Sequence, residues 1–359
     1  TDEEGVIQDI VTASEAGDDV QQLSGILSPG FINCHCHLEL SHMKGLIEEG
    51  KGLVQFVFQV VQQRHFPEEE ILQAIVTAED EMLVNGMVAV GDICNNALTV
   101  SQKVRDRLYY HNFIEASGFN PFIAAQRFDK AFRIYKEFIN SPSGDGSIVP
   151  HAPYSVADEL WDRITHFPGN HLLTIHNQET AAEDEWFINK QGGLSELFEK
   201  MNIDVSFFKA SGKSSLQSYL PKFLPDQQVI LVHNLYTSAD DFLFSKQLAI
   251  SSRLYWCLCP NANKYISQQL PDIDLLMKND CKIVLGTDSL ASNHQLSMLE
   301  EIKTIHQHFP HIEIEKILTW ATINGAKALQ MDILLGSFEK GKKPGVILLE
   351  NFTSSRRLA

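Results

Sequence analysis

The 359-residue chain has no Cys-x-x-Cys pair, no run approaching the ~20 apolar residues of a membrane span, and no cluster of lysine and arginine. The first absence leaves the six cysteines (Cys34, Cys36, Cys94, Cys257, Cys259 and Cys281) to be read as reduced, buried thiols, since all lie in or beside apolar runs. Cys257 and Cys259 are spaced so that they could bind a metal, but strand alternation and apolar neighbours favour packing. The second absence excludes a membrane partner. The third, with 29 basic against 46 acidic residues and a formal net charge of −17, argues against a nucleic-acid partner. Thr1-Asp2-Glu3-Glu4 does not read as a secretory leader, so a cytoplasmic location is expected. There is no short internal repeat and no low-complexity segment. Pro142-Ser143-Gly144-Asp145-Gly146 reads as a loop, not a domain linker. Hydrophobic content of 44% and charged content of 21% suit a globular chain with one large domain, or one large and one small.

What the chain has is a set of apolar runs that end in reactive side chains. In Pro29-Gly30-Phe31-Ile32-Asn33-Cys34-His35-Cys36-His37, a strand-like run ends in His-x-His. Residues two apart on a strand share a face, so His35 and His37 present two imidazoles to one point, with Cys34 and Cys36 directed into packing. Such a pair suits zinc, though a pair alone would also fit two satisfied core histidines. Four later runs have the same form. They end in His151, in His176 followed by Asn177-Gln178-Glu179, in His233, and in Gly286-Thr287-Asp288. Packing alone does not explain five such strand ends, whereas parallel α/β enzymes collect reactive residues at the carboxyl ends of their strands.

Three further runs, 87–92, 108–115 and 254–259, bring the strands to eight. Helical patterns separate them, for example over residues 68–85 and 294–307. The expected fold is α/β, a (β/α)8 barrel. Short strands at 6–11 and 23–27 and the segment from 335 onward resemble one another and can share a small β unit. The expected division is 1–28 with 335–359 for the small unit and 29–334 for the barrel.

With His35, His37, His176 and Asp288 as ligands, a divalent metal would lower the pKa of a bound water from ~15.7 toward ~7. Glu179, three residues past His176, can move a proton between that water and a leaving group or ring nitrogen. Asp288 can accept a proton while ligating. His233 can polarise the attacked centre or orient the water. The implied reaction is metal-assisted hydrolysis with ammonia or an amine leaving.

These residues resemble the amidohydrolase superfamily over almost the whole chain, from about residue 5 to residue 349. The likeness is carried by 29–39, His151-Ala152-Pro153-Tyr154-Ser155, His176-Asn177-Gln178-Glu179-Thr180, Val232-His233-Asn234, Cys259-Pro260-Asn261-Ala262-Asn263 and 286–293. It points to the deaminase and chlorohydrolase branch, which includes S-adenosylhomocysteine, methylthioadenosine and aminodeoxyfutalosine deaminases. The resemblance implies a distorted barrel, a β-sandwich built from both termini, and one catalytic metal, zinc or iron. It assigns His35, His37, His176 and Asp288 as ligands, with Glu179 and His233 in proton transfer. Two-metal members use a modified lysine at the end of the fourth strand. Here residues 148–156 contain none, and His151 would contact substrate instead. Two departures stand out. The family usually has one or two more strands before Gly5-Val6-Ile7, which implies a smaller sandwich or a trimmed chain. Gly345 stands where an aspartate is common.

Other residues keep two readings. Glu39 and His42 line the pocket or lie on a loop surface. Ser289, Ser292 and Asn293 touch substrate or cap the following helix, and Asn261 and Asn263 are similarly open. His306, His308 and His311 read as surface residues. The expected activity is deamination of an aromatic ring amidine carbon, with an adenine-type nucleoside favoured over guanine, cytosine or a chlorinated triazine. A non-catalytic scaffold relative is disfavoured because every ligand is present. A two-metal amidase or lactonase is disfavoured because the lysine is missing. The expected partner is a small molecule, with homodimers common in the family.

Overall fold

The computed structural model describes residues 1–18, 20–142, 144–350 and 354–358. Eleven strands are found among them: β1 (Ile26–Pro29), β2 (Phe31–Cys36), β3 (Met87–Cys94), β4 (Tyr109–Ala116), β5 (Gly146–Pro150), β6 (Leu172–Asn177), β7 (Gln228–His233), β8 (Leu254–Leu258), β9 (Ile283–Leu285), β10 (Val346–Glu350) and β11 (Ser354–Arg357). All eight expected barrel strands form, as β2 to β9. They pair in parallel as two four-stranded sheets, β2-β3-β4-β5 and β6-β7-β8-β9, with helices on the connections. Every residue of β2, β3 and β6 is buried. Burial on both faces stabilises by roughly 1.5–3 kcal/mol for each large apolar side chain, and the polar residues of these strands, such as Asn33, His35, Thr174 and His176, are buried with them.

The two sheets meet at seams that involve the expected site residues. At one seam the His176 N–H donates to the His151 carbonyl (3.0 Å). At the other, the N–H groups of Thr287 and Asp288 donate to the His35 carbonyl (3.1 and 3.0 Å), and Cys36 pairs with Asp288 in a parallel bridge. Gly286 permits this approach. A Cβ there would stand 2.9 Å from both the Cβ and the carbonyl oxygen of His35.

The helix expected over 68–85 is Glu68–Val84, with Glu68, Glu69 and Glu70 at its positive end. The one expected over 294–307 begins later, at Met298. The segment before it is held out of helix because the Asn293 amide donates to the Thr287 carbonyl and to the Glu301 carboxylate (both 2.9 Å).

The termini supply a three-stranded antiparallel sheet, β1-β10-β11, with Ile26 opposite Leu349. The strand expected at 6–11 is irregular. Ile7 alone of that run is buried, exchanging hydrogen bonds with Lys342 and Gly341, while the Asp2 carboxylate turns the chain by accepting from the Glu4 and Val6 N–H groups. Among the described residues no helix is long and apolar enough to cross a membrane.

Beneath the site Lys103 is buried, with its ammonium on Asp92 (2.5 Å) and Asn112 (2.6 Å). The other Asp92 oxygen accepts the Leu38 N–H (2.8 Å), immediately after His37. Lys103→Met should therefore destabilise the fold by about 3–5 kcal/mol, because it strands a buried carboxylate. Chemical denaturation measures this, and a loss under 1 kcal/mol would show that Asp92 finds another partner.

Candidate active site

His35 is the fifth residue of β2, and His37 follows the end of that strand. Their Nε2 atoms lie 3.2 Å apart. The His176 Nε2 is 3.4 Å from that of His37. The Asp288 Oδ1 is 3.6 Å from the His35 Nε2 and 3.5 Å from the His37 Nε2. The three imidazoles form a group whose ligating nitrogens all lie within 4.8 Å of one another, and their 3.2 and 3.4 Å edges match the roughly 3.3 Å expected between ligands of one zinc-sized ion, with Asp288 set against the His35–His37 side. The donor chemistry also fits. Burial, and then the neighbouring imidazoles, push His176 down to about 4 and His37 well below its usual value, so both present neutral nitrogens. The His176 Nδ1 donates to the His151 carbonyl (2.8 Å), which directs its Nε2 toward the cluster.

Burial pushes the Asp288 carboxyl up, but the close approach of His35 and the fields of His37 and His233 outweigh this and hold it well below the usual carboxylate range. Its second oxygen accepts from the Ser292 hydroxyl (2.7 Å). Asp288 has φ +58° and His233 has φ +75°, left-handed conformations that are costly for side chains of this kind. Both residues sit where a strand end turns abruptly toward the cluster.

Glu179 is buried, and its Oε2 stands 3.5 Å from the His233 Nε2. Burial, then the charges of Asp288 and Glu183, raise its pKa well above the usual carboxylate range. Two carboxyls facing one cluster are thus pushed in opposite directions, Asp288 down and Glu179 up, the separation expected of an acid–base pair. His233 receives the Asn263 amide at Nδ1 (3.3 Å), which leaves its Nε2 carrying the hydrogen that faces Glu179.

His37, His176, Glu179, His233 and Asp288 line a cavity of about 850 Å³, within the range of small-ligand sites. Its walls include Phe56, Val57, Val60, Phe119, Leu197 and Phe198. His151 lines it. The Ser155 hydroxyl directs its hydrogen to the Ala152 carbonyl and accepts from the His151 Nδ1 (2.7 Å), leaving the His151 Nε2 as an acceptor. Glu39 also lines the cavity and is buried, not a surface loop residue. Its Oε2 accepts the N–H groups of Asn95 and Asn96, and burial pushes it up to about 7. His42 is at the wall, with its Nε2 on the Arg64 carbonyl.

Ser289 lines the cavity, whereas Asn293 does not. Asn293 braces the Asp288 loop through Thr287 and Glu301, and the N-cap of the following helix is Ser297, not Asn293. His306, His308 and His311 are exposed. Sequence reasoning gave Glu115 no role, yet it lines the cavity from β4, with its Oε2 buried and unpaired 3.9 Å from the His176 Nδ1. The signal was available, since Glu115 closes an apolar run in the same way as the five strand ends.

Fold and site together define a metal-dependent hydrolase whose residues project from the strand ends of a (β/α)8 barrel. The amidohydrolase family model matches residues 26–357, and the chain belongs to that family. It is 26% identical to an adenosine deaminase of Helicobacter pylori, over 93% of this chain and 82% of that one. It is also 26% identical to a 5-methylthioadenosine/S-adenosylhomocysteine deaminase of Teredinibacter turnerae, over 90% and 72%. The crystal structure of Helicobacter pylori aminofutalosine deaminase in complex with methylthio-coformycin superposes with a TM-score of 0.77 at 25% identity, covering 90% of this chain and 79% of that one. The protein is an enzyme, a hydrolytic deaminase.

Proposed function

We propose that this enzyme removes the amino group from the ring of an adenine-type nucleoside, of the aminodeoxyfutalosine, methylthioadenosine or S-adenosylhomocysteine class, and releases ammonia. The observation that carries the reading is geometric: Glu179 and Asp288 both line one cavity of about 850 Å³, Asp288 against His35 and His37 and Glu179 against His233. The names of the relatives support the substrate class. His35, His37, His176 and Asp288 would hold one metal, zinc or iron. The fourth barrel strand ends in His151 and supplies no lysine for a second.

When bound, the metal supplies a nucleophile at neutral pH by lowering the pKa of water. The chain's own residues do the rest. Asp288, ionised and fixed by Ser292, accepts the proton of the attacking water. Glu179, whose burial favours the protonated form, gives its proton to the ring nitrogen beside the attacked carbon, takes up the proton left on the added oxygen and passes it to the amine, which departs as ammonia; the proton held by Asp288 then restores Glu179. The His233 Nε2–H, set by Asn263, donates a hydrogen bond to the attacking oxygen. His151 and Glu39 line the cavity where base and sugar would bind, with Ser289 beside Asp288.

Ammonia release from 5′-methylthioadenosine, S-adenosylhomocysteine, aminodeoxyfutalosine, adenosine, guanine, cytosine and pterin tests this, with metal content measured on the same sample. An adenine-type nucleoside should be turned over fastest, with one metal per chain. Preference for guanine or cytosine would overturn the substrate class. Two metals per chain would overturn the single-metal reading.

A further inference from the structure

Glu179 has no hydrogen bond of its own beyond the approach to His233, so its side chain is placed from the backbone. That backbone is the turn leaving β6, where Gln178 adopts φ +44°. The sequence Thr180-Ala181-Ala182-Glu183 has the form of a capping box, in which Glu183 would return to the N–H of Thr180. The structure does something else. Thr180 caps the helix Ala181–Asn189 through its own hydroxyl, and the Glu183 carboxyl reaches past it. Its Oε1 accepts the Gln178 N–H (3.2 Å), and the Ser215 hydroxyl donates to the same oxygen (2.5 Å). The Gln178 side chain is clamped in turn, its amide donating to Asp184 (3.1 Å) and Asp241 (3.0 Å). Three buried or half-buried acidic side chains therefore grip a two-residue turn, and none of them reaches the cavity wall.

We infer that Glu183 is a positioning residue for the reaction: by holding the main-chain N–H of Gln178 in a left-handed turn, it aims the carboxyl of the next residue, Glu179, at the ligand cluster. The inference rests on Glu179 being the proton shuttle. A reacting group displaced by about 1 Å can lose a hundredfold in rate, so a clamp of this kind acts on turnover and not on substrate affinity.

The test uses the metal-loaded enzyme with 5′-methylthioadenosine as probe, together with amide hydrogen exchange, which needs no substrate. Glu183→Ala should lower kcat roughly ten- to a hundredfold with KM and metal content unchanged. Glu183→Gln keeps an acceptor for the Gln178 N–H and should recover much of that loss. In a Glu179→Gln background, Glu183→Ala should cost nothing further, because a group that acts only through another is non-additive with it. Amide exchange over 177–180 should accelerate about tenfold or more in Glu183→Ala while the rest of β6 stays protected. Additive losses, or unchanged exchange at 178–179, would overturn the inference. If the probe is not turned over, the exchange measurement decides alone. Full activity of Glu179→Gln by itself would instead strike the shuttle assignment, and the exchange result would still report on the clamp.

Discussion

Glu179→Gln should retain its full complement of metal and lose turnover by a factor on the order of 10² to 10⁴, the usual contribution of a positioned acid–base group. Its carboxyl ligates nothing in the cluster, whose nearest edges are made by His35, His37, His176 and Asp288. The glutamine amide fills the same volume and can still offer a hydrogen bond, but it cannot release a proton. KM should therefore change little while kcat collapses. The state of Glu179 sharpens the expectation. Burial raises its pKa, with Asp288 and Glu183 adding to the effect, which favours the protonated form that a proton donor needs. Metal analysis and steady-state kinetics on one preparation check this. Turnover within a few-fold of wild type would remove Glu179 from the proton path. Loss of metal would mean that it ligates.

The barrel strands and the four candidate ligands were legible because both are local signals. Each buried parallel strand is an apolar run, and each ends where a polar residue breaks it. His-x-His shares a face by strand geometry alone. The less legible parts depend on partners distant in sequence. Asn293 looked like a substrate contact or cap because it follows Asp288 on a polar segment. Its fate is set by the Thr287 carbonyl and by Glu301, which comes from the next helix. Glu39 read equally as surface or pocket, since nothing within its own segment shows that the amides of Asn95 and Asn96, more than fifty residues later, wait for its carboxyl. Glu183 carried a misleading local signal, because the capping-box pattern predicts a contact with Thr180 that the structure replaces with Gln178. The strand expected at 6–11 failed for the opposite reason. Its β-branched residues favour extension, but a local carboxylate satisfies the backbone first.

His176→Ala should abolish metal binding and turnover together, and the contrast with His151→Ala identifies which nitrogen is responsible. His176 belongs to two groups of metal-competent side chains, one with His35 and His37 and another with Glu115 and His151. The geometry favours the first. The His176 Nδ1, the nitrogen 3.9 Å from Glu115, already donates to the His151 carbonyl, while its Nε2 is free toward His37. His151 contributes to that arrangement through its main-chain carbonyl, which an alanine keeps. His151→Ala should therefore bind metal normally and fail only in substrate handling, whereas His176→Ala leaves two imidazoles and one carboxylate. Metal content after gel filtration gives the first reading. Thermal unfolding gives the second. A ligand that binds only the folded state stabilises it by about 2.7 kcal/mol at a hundredfold excess over Kd, so added zinc should raise the Tm of metal-stripped wild type and of His151→Ala but not of His176→Ala. Loss of the zinc response in His151→Ala would move the metal to the Glu115 side of His176 and with it the point at which water is activated.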